Sequence, residues 1–163
     1  NKILKVAVFG FSTSSSAATL PLNIKTTTEE LGVDEKIASF VLPLGMTINM
    51  NGTAIMQVVA TLFIAGCAGF EVSFGQLVVI ALLALIASAG TPAAPGAGAI
   101  ILFTILSGIG LVNDGALLAY SLILAINRPI EMLVTSLNVV GDSATSIYVA
   151  KSEGMLDEQK YNA

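Results

Sequence analysis

The residues best suited to chemistry share one stretch of the chain. Arg128, Glu131 and Asp142 are the only charges between Ala116 and Ala150, in a segment otherwise built from apolar, hydroxyl and amide side chains. At roughly 100° per residue on a helix, Glu131, Thr135, Asn138 and Asp142 fall within an arc of about 60°, with Arg128 and Val134 flanking it on opposite sides. Two carboxylates, a hydroxyl and an amide in one file supply oxygen ligands of the kind that hard cations take. Such a stripe on a helix otherwise suited to lipid is costly and usually faces a bundle interior or an ion path. The plainer alternative is a packing stripe whose polar groups bond to neighbouring helices.

The elements that must position this stripe are read from composition. Of 163 residues, 55% are hydrophobic and 11% charged, and the mean hydropathy is +0.86. Soluble domains carry about 25% charged residues, so the chain reads as an all-α membrane protein or a piece of one. A net charge of −4 without a basic patch argues against nucleic acid as a partner. The absence of histidine removes His-based catalysis and His metal sites, and the single Cys67 allows no internal disulfide. No signal peptide is evident in NKILKVAVFGF. The start at Asn rather than Met points to processing or to a fragment of a longer chain.

In chain order, 1–24 reads as two short apolar arms around a hydroxyl-rich tip at 12–19. Each arm is far shorter than the ~20 residues of a spanning helix. A re-entrant hairpin is expected, since irregular backbone at membrane depth is tolerated only where it lines a cavity. The polar stretch 25–36 reads as a cytoplasmic surface loop. Residues 37–68 form an apolar run interrupted at 46–53 by two asparagines and a glycine, which are poor helix formers. That predicts a broken transmembrane helix, a device that builds ion and substrate sites in secondary transporters. A second re-entrant hairpin is expected over 75–107, because its tip at 88–98 holds two prolines and three glycines. A single polar-striped transmembrane helix follows at 115–150, and a charged, solvated cytoplasmic tail at 151–163. Six lysines fall on one side of this topology, which the positive-inside rule makes cytoplasmic. The first hairpin then enters from the cytoplasm and the second from outside. All of these parts read as one transport domain.

Four motifs in order carry a resemblance: the serine-rich tip at 13–21, Asn49-Met50-Asn51-Gly52-Thr53, the tip at 88–98, and Asn138-Val139-Val140-Gly141-Asp142. The chain resembles the dicarboxylate/amino-acid:cation symporters, the glutamate transporter family that includes archaeal sodium–aspartate transporters. The resemblance implies the C-terminal half of such a transporter, with the remaining N-terminal helices, membrane lipid and two further copies of a homotrimer as partners. It places the protein in the plasma or inner membrane as a multi-pass protein, not an enzyme, with Na+ as the coupling ion and H+ as the alternative.

It also implies sites. One sodium site would use carbonyls of Gly45, Asn49 and Asn138 with the Asp142 carboxylate. A second would use carbonyls of Thr47, Ser88 and Thr91 near the Met50 sulfur. A third would use the side chains of Asn49 and Asn51 with groups outside this chain. Substrate would be held by Ser14, Ser15 and Ser16, by Thr53, by the tip from Ala94 to Gly98, and by Glu131, Thr135 and Asn138. Three departures from the family pattern stand out. The usual Asn-Met-Asp-Gly-Thr aspartate is Asn51, the aspartate that receives the substrate amino group is Glu131, and the arginine that receives an acidic side chain is Val134.

The expected function is sodium-coupled symport of amino acids by alternating access, neutral ones because Val134 offers no cation to a side-chain carboxylate. Acidic amino acids or dicarboxylates are the alternative, with Arg128 as the cation. An ion channel or anion pathway lined by the same stripe is the alternative of another class. An intramembrane hydrolase on the Ser14–Ser16 tip lacks an obvious base.

Overall fold

The computed structural model describes residues 2–163; the first predicted hairpin, 1–24, begins one residue outside them. Among the described residues the chain forms nine helices, with Val33 and Leu156 making the one isolated β-bridge.

Helix α1 (Leu4–Thr13) and helix α2 (Ser16–Glu29) pack as a hairpin around Ser14 and Ser15. Ser14 closes α1 in the left-handed region at φ 50. Ser15 caps α2 by accepting the Ala18 N–H, which satisfies one of the orphan donors of a helix start. The irregular tip is thus shorter than the eight-residue stretch expected. The loop expected over 25–36 is also corrected: α2 continues to Glu29. Thr26 and Thr27, which made the segment look solvated, are buried.

Helix α3 (Glu35–Ile48) and helix α4 (Asn51–Cys67) follow almost end to end. The break is two residues, Asn49 and Met50, at ψ 68 and ψ 49. Together they make the 33-residue span Glu35–Cys67, long and apolar enough to cross a membrane.

Helix α5 (Phe74–Ala89) and helix α6 (Ala97–Gly108) form a second hairpin. A capping box between Ser73 and Gln76 starts α5. Gly96 sits at φ 88 where the chain turns into α6.

Residues 115–150 are not one helix. Helix α7 (Asp114–Ile126) meets helix α8 (Arg128–Ser152) at a 70° bend on Asn127. Pro129 stands in the first turn of α8, where its missing N–H costs nothing. It starts a new helix rather than kinking an old one.

Helix α8 packs against α1, α2, α3 and α4. Asn23 of α2 donates to the Val139 carbonyl at 3.1 Å and accepts from Ser143 at 2.6 Å. Both are buried, so this amide pays for its desolvation with hydrogen bonds. A separate apolar core joins α4 to α7, centred on Ile64, Ile80, Leu102, Ile105 and Leu106.

The tail at 151–163 is not simply solvated. Helix α8 runs through Ser152, and helix α9 (Glu158–Asn162) follows a docked turn. Asp157 N–H donates to Gly32 O at 2.7 Å, Asp34 N–H donates to Met155 O at 3.1 Å, and Lys2 Nζ donates to Lys160 O at 2.6 Å. Lys5 pairs with Glu30 at the same end of the molecule.

Candidate functional site

Four parts of the fold converge on one cavity. Ser14 and Ser16 come from the first tip, and Met50, Thr53 and Met56 from the break and start of α4. Thr91, Pro92, Ala93, Ala94 and Gly98 come from the second hairpin. Glu131, Val134, Thr135 and Asn138 come from α8. At about 20 Å³ the cavity has room for little more than one water. Of the predicted substrate residues, Ser14, Ser16, Thr53, Ala94, Gly98, Glu131, Thr135 and Asn138 line it, as does Val134; Ser15 and the tip residues between Ala94 and Gly98 do not. Ser15 instead holds the tips together, its hydroxyl donating to Ala93 O at 2.9 Å while Ala17 N–H donates to the same carbonyl at 3.3 Å.

Asn138 fastens α8 to the helix break. Its Oδ1 accepts the Gly52 N–H at 2.8 Å, and its Nδ2 donates to Thr53 Oγ1 at 3.0 Å and to Met50 Sδ at 3.3 Å. Helix α4 has no side-chain cap of its own, so Asn138 supplies one from across the fold. The close approach needs glycine: a Cβ on Gly52 would lie 2.9 Å from Val134 O.

One helix turn on, Asp142 is buried against the other side of the break. Asn49 Nδ2 donates to Asp142 Oδ1 at 2.9 Å, and a Cβ on Gly45 would lie 2.6 Å from the same oxygen. Gly45, Asn49 and Asp142 of the first predicted sodium set are therefore adjacent. The Asn51 side chain is near that cluster but exposed: a Cβ on Gly141 would meet Asn49 Nδ2 at 2.8 Å and Asn51 Nδ2 at 3.6 Å. In the second set, Met50 and Thr91 line the cavity. The hydroxyls of Thr47, Ser88 and Thr91 bond to carbonyls three or four residues earlier in the chain.

Glu131, 6% exposed, is held from two directions. Its Oε1 accepts the Gly96 N–H at 2.8 Å, and its Oε2 lies 3.2 Å from Arg128 Nη1. Gly96 belongs to the tip read from sequence, but its amide bond to Glu131 was not foreseen, and Ala93 was not singled out, because both act through backbone groups. Met56 and Pro92 also line the cavity without having been singled out. Gln57 is a further omission: it is fully buried and donates to Gly98 O at 3.3 Å, tying the second hairpin to α4. A lone amide within an apolar helix was its only signal.

The model of the sodium:dicarboxylate symporter family matches residues 1–152. The chain belongs to that family. It is 40% identical over 141 residues to human excitatory amino acid transporter 1, covering 86% of this chain and 25% of that protein. It is 42% identical over 137 residues to an excitatory amino acid transporter of Caenorhabditis elegans, covering 83% and 26%. Human excitatory amino acid transporter 2 is 40% identical over 154 residues, covering 93% and 26%. The chain spans about a quarter of the length of these relatives. The sodium:dicarboxylate symporter family is one of multi-pass cell-membrane transporters rather than enzymes.

Proposed function

We propose that this chain is the cargo-binding part of a sodium-coupled symporter that moves neutral amino acids by alternating access. The observation that carries the substrate class is the cavity lining, which contains Glu131 but no lysine or arginine. The substrate ammonium meets Glu131, and its carboxylate meets Asn138 and the serine-rich tip. Its side chain then faces Val134 and Thr53. Burying a second carboxylate there would cost several kcal/mol without a paired cation.

Sodium binds at Asp142 with the carbonyls of Gly45, Asn49 and Asn138, and at a second set formed by the carbonyls of Thr47, Ser88 and Thr91 beside Met50. Asn49 and Asn51 contribute to a third, weaker set. The two hairpins are re-entrant, the first from the cytoplasm and the second from outside. The outward apolar faces, including Phe40, Phe63 and Ile86, meet lipid and the remaining helices of a homotrimeric transporter.

A second reading is transport of acidic amino acids or dicarboxylates. The family description and Arg128, near the cavity, favour it. Competition uptake with alanine, serine, leucine and aspartate decides between them. The neutral reading expects aspartate to compete worst in the unmodified protein and to gain in Val134→Arg. Best competition by aspartate would overturn it.

A further inference from the structure

Both oxygens of Glu131 are engaged when the two tips meet. One bond belongs to the second hairpin, from Gly96 N–H at 2.8 Å. The other partner is Arg128, 3.2 Å away on the same helix. The two ends of this ion pair differ: the Glu131 side chain is 8% exposed, the Arg128 side chain 56%. A carboxylate enclosed this far needs a cation, and losing it leaves a charge that opposes enclosure. The cavity in this closed arrangement has about 20 Å³, too little for an amino acid beside Glu131. The cation that Glu131 meets in that contracted space is Arg128.

We propose that Arg128 is a tethered stand-in for the substrate's amino group. It neutralises Glu131 when the tips close without cargo and yields the carboxylate when an amino acid enters. The inference rests on the reading that Glu131 receives the ammonium. The pair is built to be exchanged. Arg128 uses a single N–H rather than its bidentate fork. Its side chain is more than half exposed, where a pair one turn apart on a helix is weakly held. It stands at the first residue of α8, at the 70° bend from α7. Arg128 is a positioning residue: it acts on the lid through Glu131 and does not itself hold the substrate.

The consequence falls on one half of a transport cycle. Net uptake requires the unloaded site to close and return. Exchange of internal for external substrate uses loaded states alone. Arg128→Gln in the intact transporter, reconstituted in liposomes, is expected to slow net uptake of the transported amino acid by about tenfold or more. Sodium-dependent exchange of the same amino acid should stay within about twofold, and Arg128→Lys should restore much of the net rate. Exchange in the parent protein reports on the transport reading; the ratio of net uptake to exchange reports on Arg128. A spin-label pair across the two tips gives a second measure independent of turnover. With neither sodium nor amino acid present, Arg128→Gln should shift the distances toward open, and sodium with saturating amino acid should close them as in the parent. Equal loss of net uptake and exchange, an unchanged ratio, or an unchanged distance distribution would overturn the proposal.

Discussion

Asn49 donates to Asp142 across the helix break, Nδ2 to Oδ1, at 2.9 Å. The bond leaves the carboxylate with acceptor capacity to spare, and the glycine at position 45 lets backbone come within reach of it. Asp142→Asn is therefore expected to weaken the apparent sodium affinity for uptake by about tenfold or more, since a neutral ligand offsets cation desolvation less well. Sodium titration of uptake checks this. An unchanged curve would remove Asp142 from the ion site.

Asn51 supplies an oxygen without a charge at the position where the family resemblance places an aspartate. Fewer than three sodium ions should accompany each substrate, because the third set lacks its carboxylate. Reversal potentials in proteoliposomes give the ratio, and a clear three-to-one coupling would refute the expectation.

Gly96 combines φ 88 with the amide that reaches Glu131. A side chain at that dihedral costs about 1–2 kcal/mol. Gly96→Ala should loosen closure of the second hairpin and raise the KM for substrate by about tenfold. Uptake kinetics at fixed sodium measure it; a parental KM would mean this bond does not govern the lid.

Gly32 has φ 73, and a Cβ there would lie 2.4 Å from Asp157 O. Gly32→Ala should detach the tail from the end of α2 at a cost of about 1–2 kcal/mol from the dihedral alone. Faster proteolytic release of the segment after Ser152 is the expected sign. Parental protection would show that the tail is held by other contacts.

Periodicity exposed the stripe from Glu131 to Asp142 because its four polar side chains share one helix face, and all four are buried. The interruption near Asn49 and Met50 was legible for a related reason: amides and glycine interrupt an apolar run. The docking of the tail was not, because Asp157 N–H to Gly32 O is a bond between backbones and leaves no mark in side-chain pattern. The bond from Gly96 N–H to Glu131 Oε1 was hidden for a similar reason, since its donor is a backbone group. The bend at Asn127 had Pro129 as its one local sign, and proline in a first turn is equally at home in a straight helix start. Lys25 to Glu29 misled in the other direction: their polarity belongs partly to buried threonines, not to a loop.

The carbonyl of Ala93 accepts from both Ser15 and Ala17, so the two hairpins share one fastening. Whichever hairpin withdraws first breaks the same two bonds. Once they are broken, the second hairpin has nothing left to lose at that point by withdrawing too. The tips alone therefore provide no mutual exclusion against a leak through both sides. A guard against leak has to be built from contacts that only one hairpin makes, as Gly96 makes with Glu131 and Asn23 with Ser143.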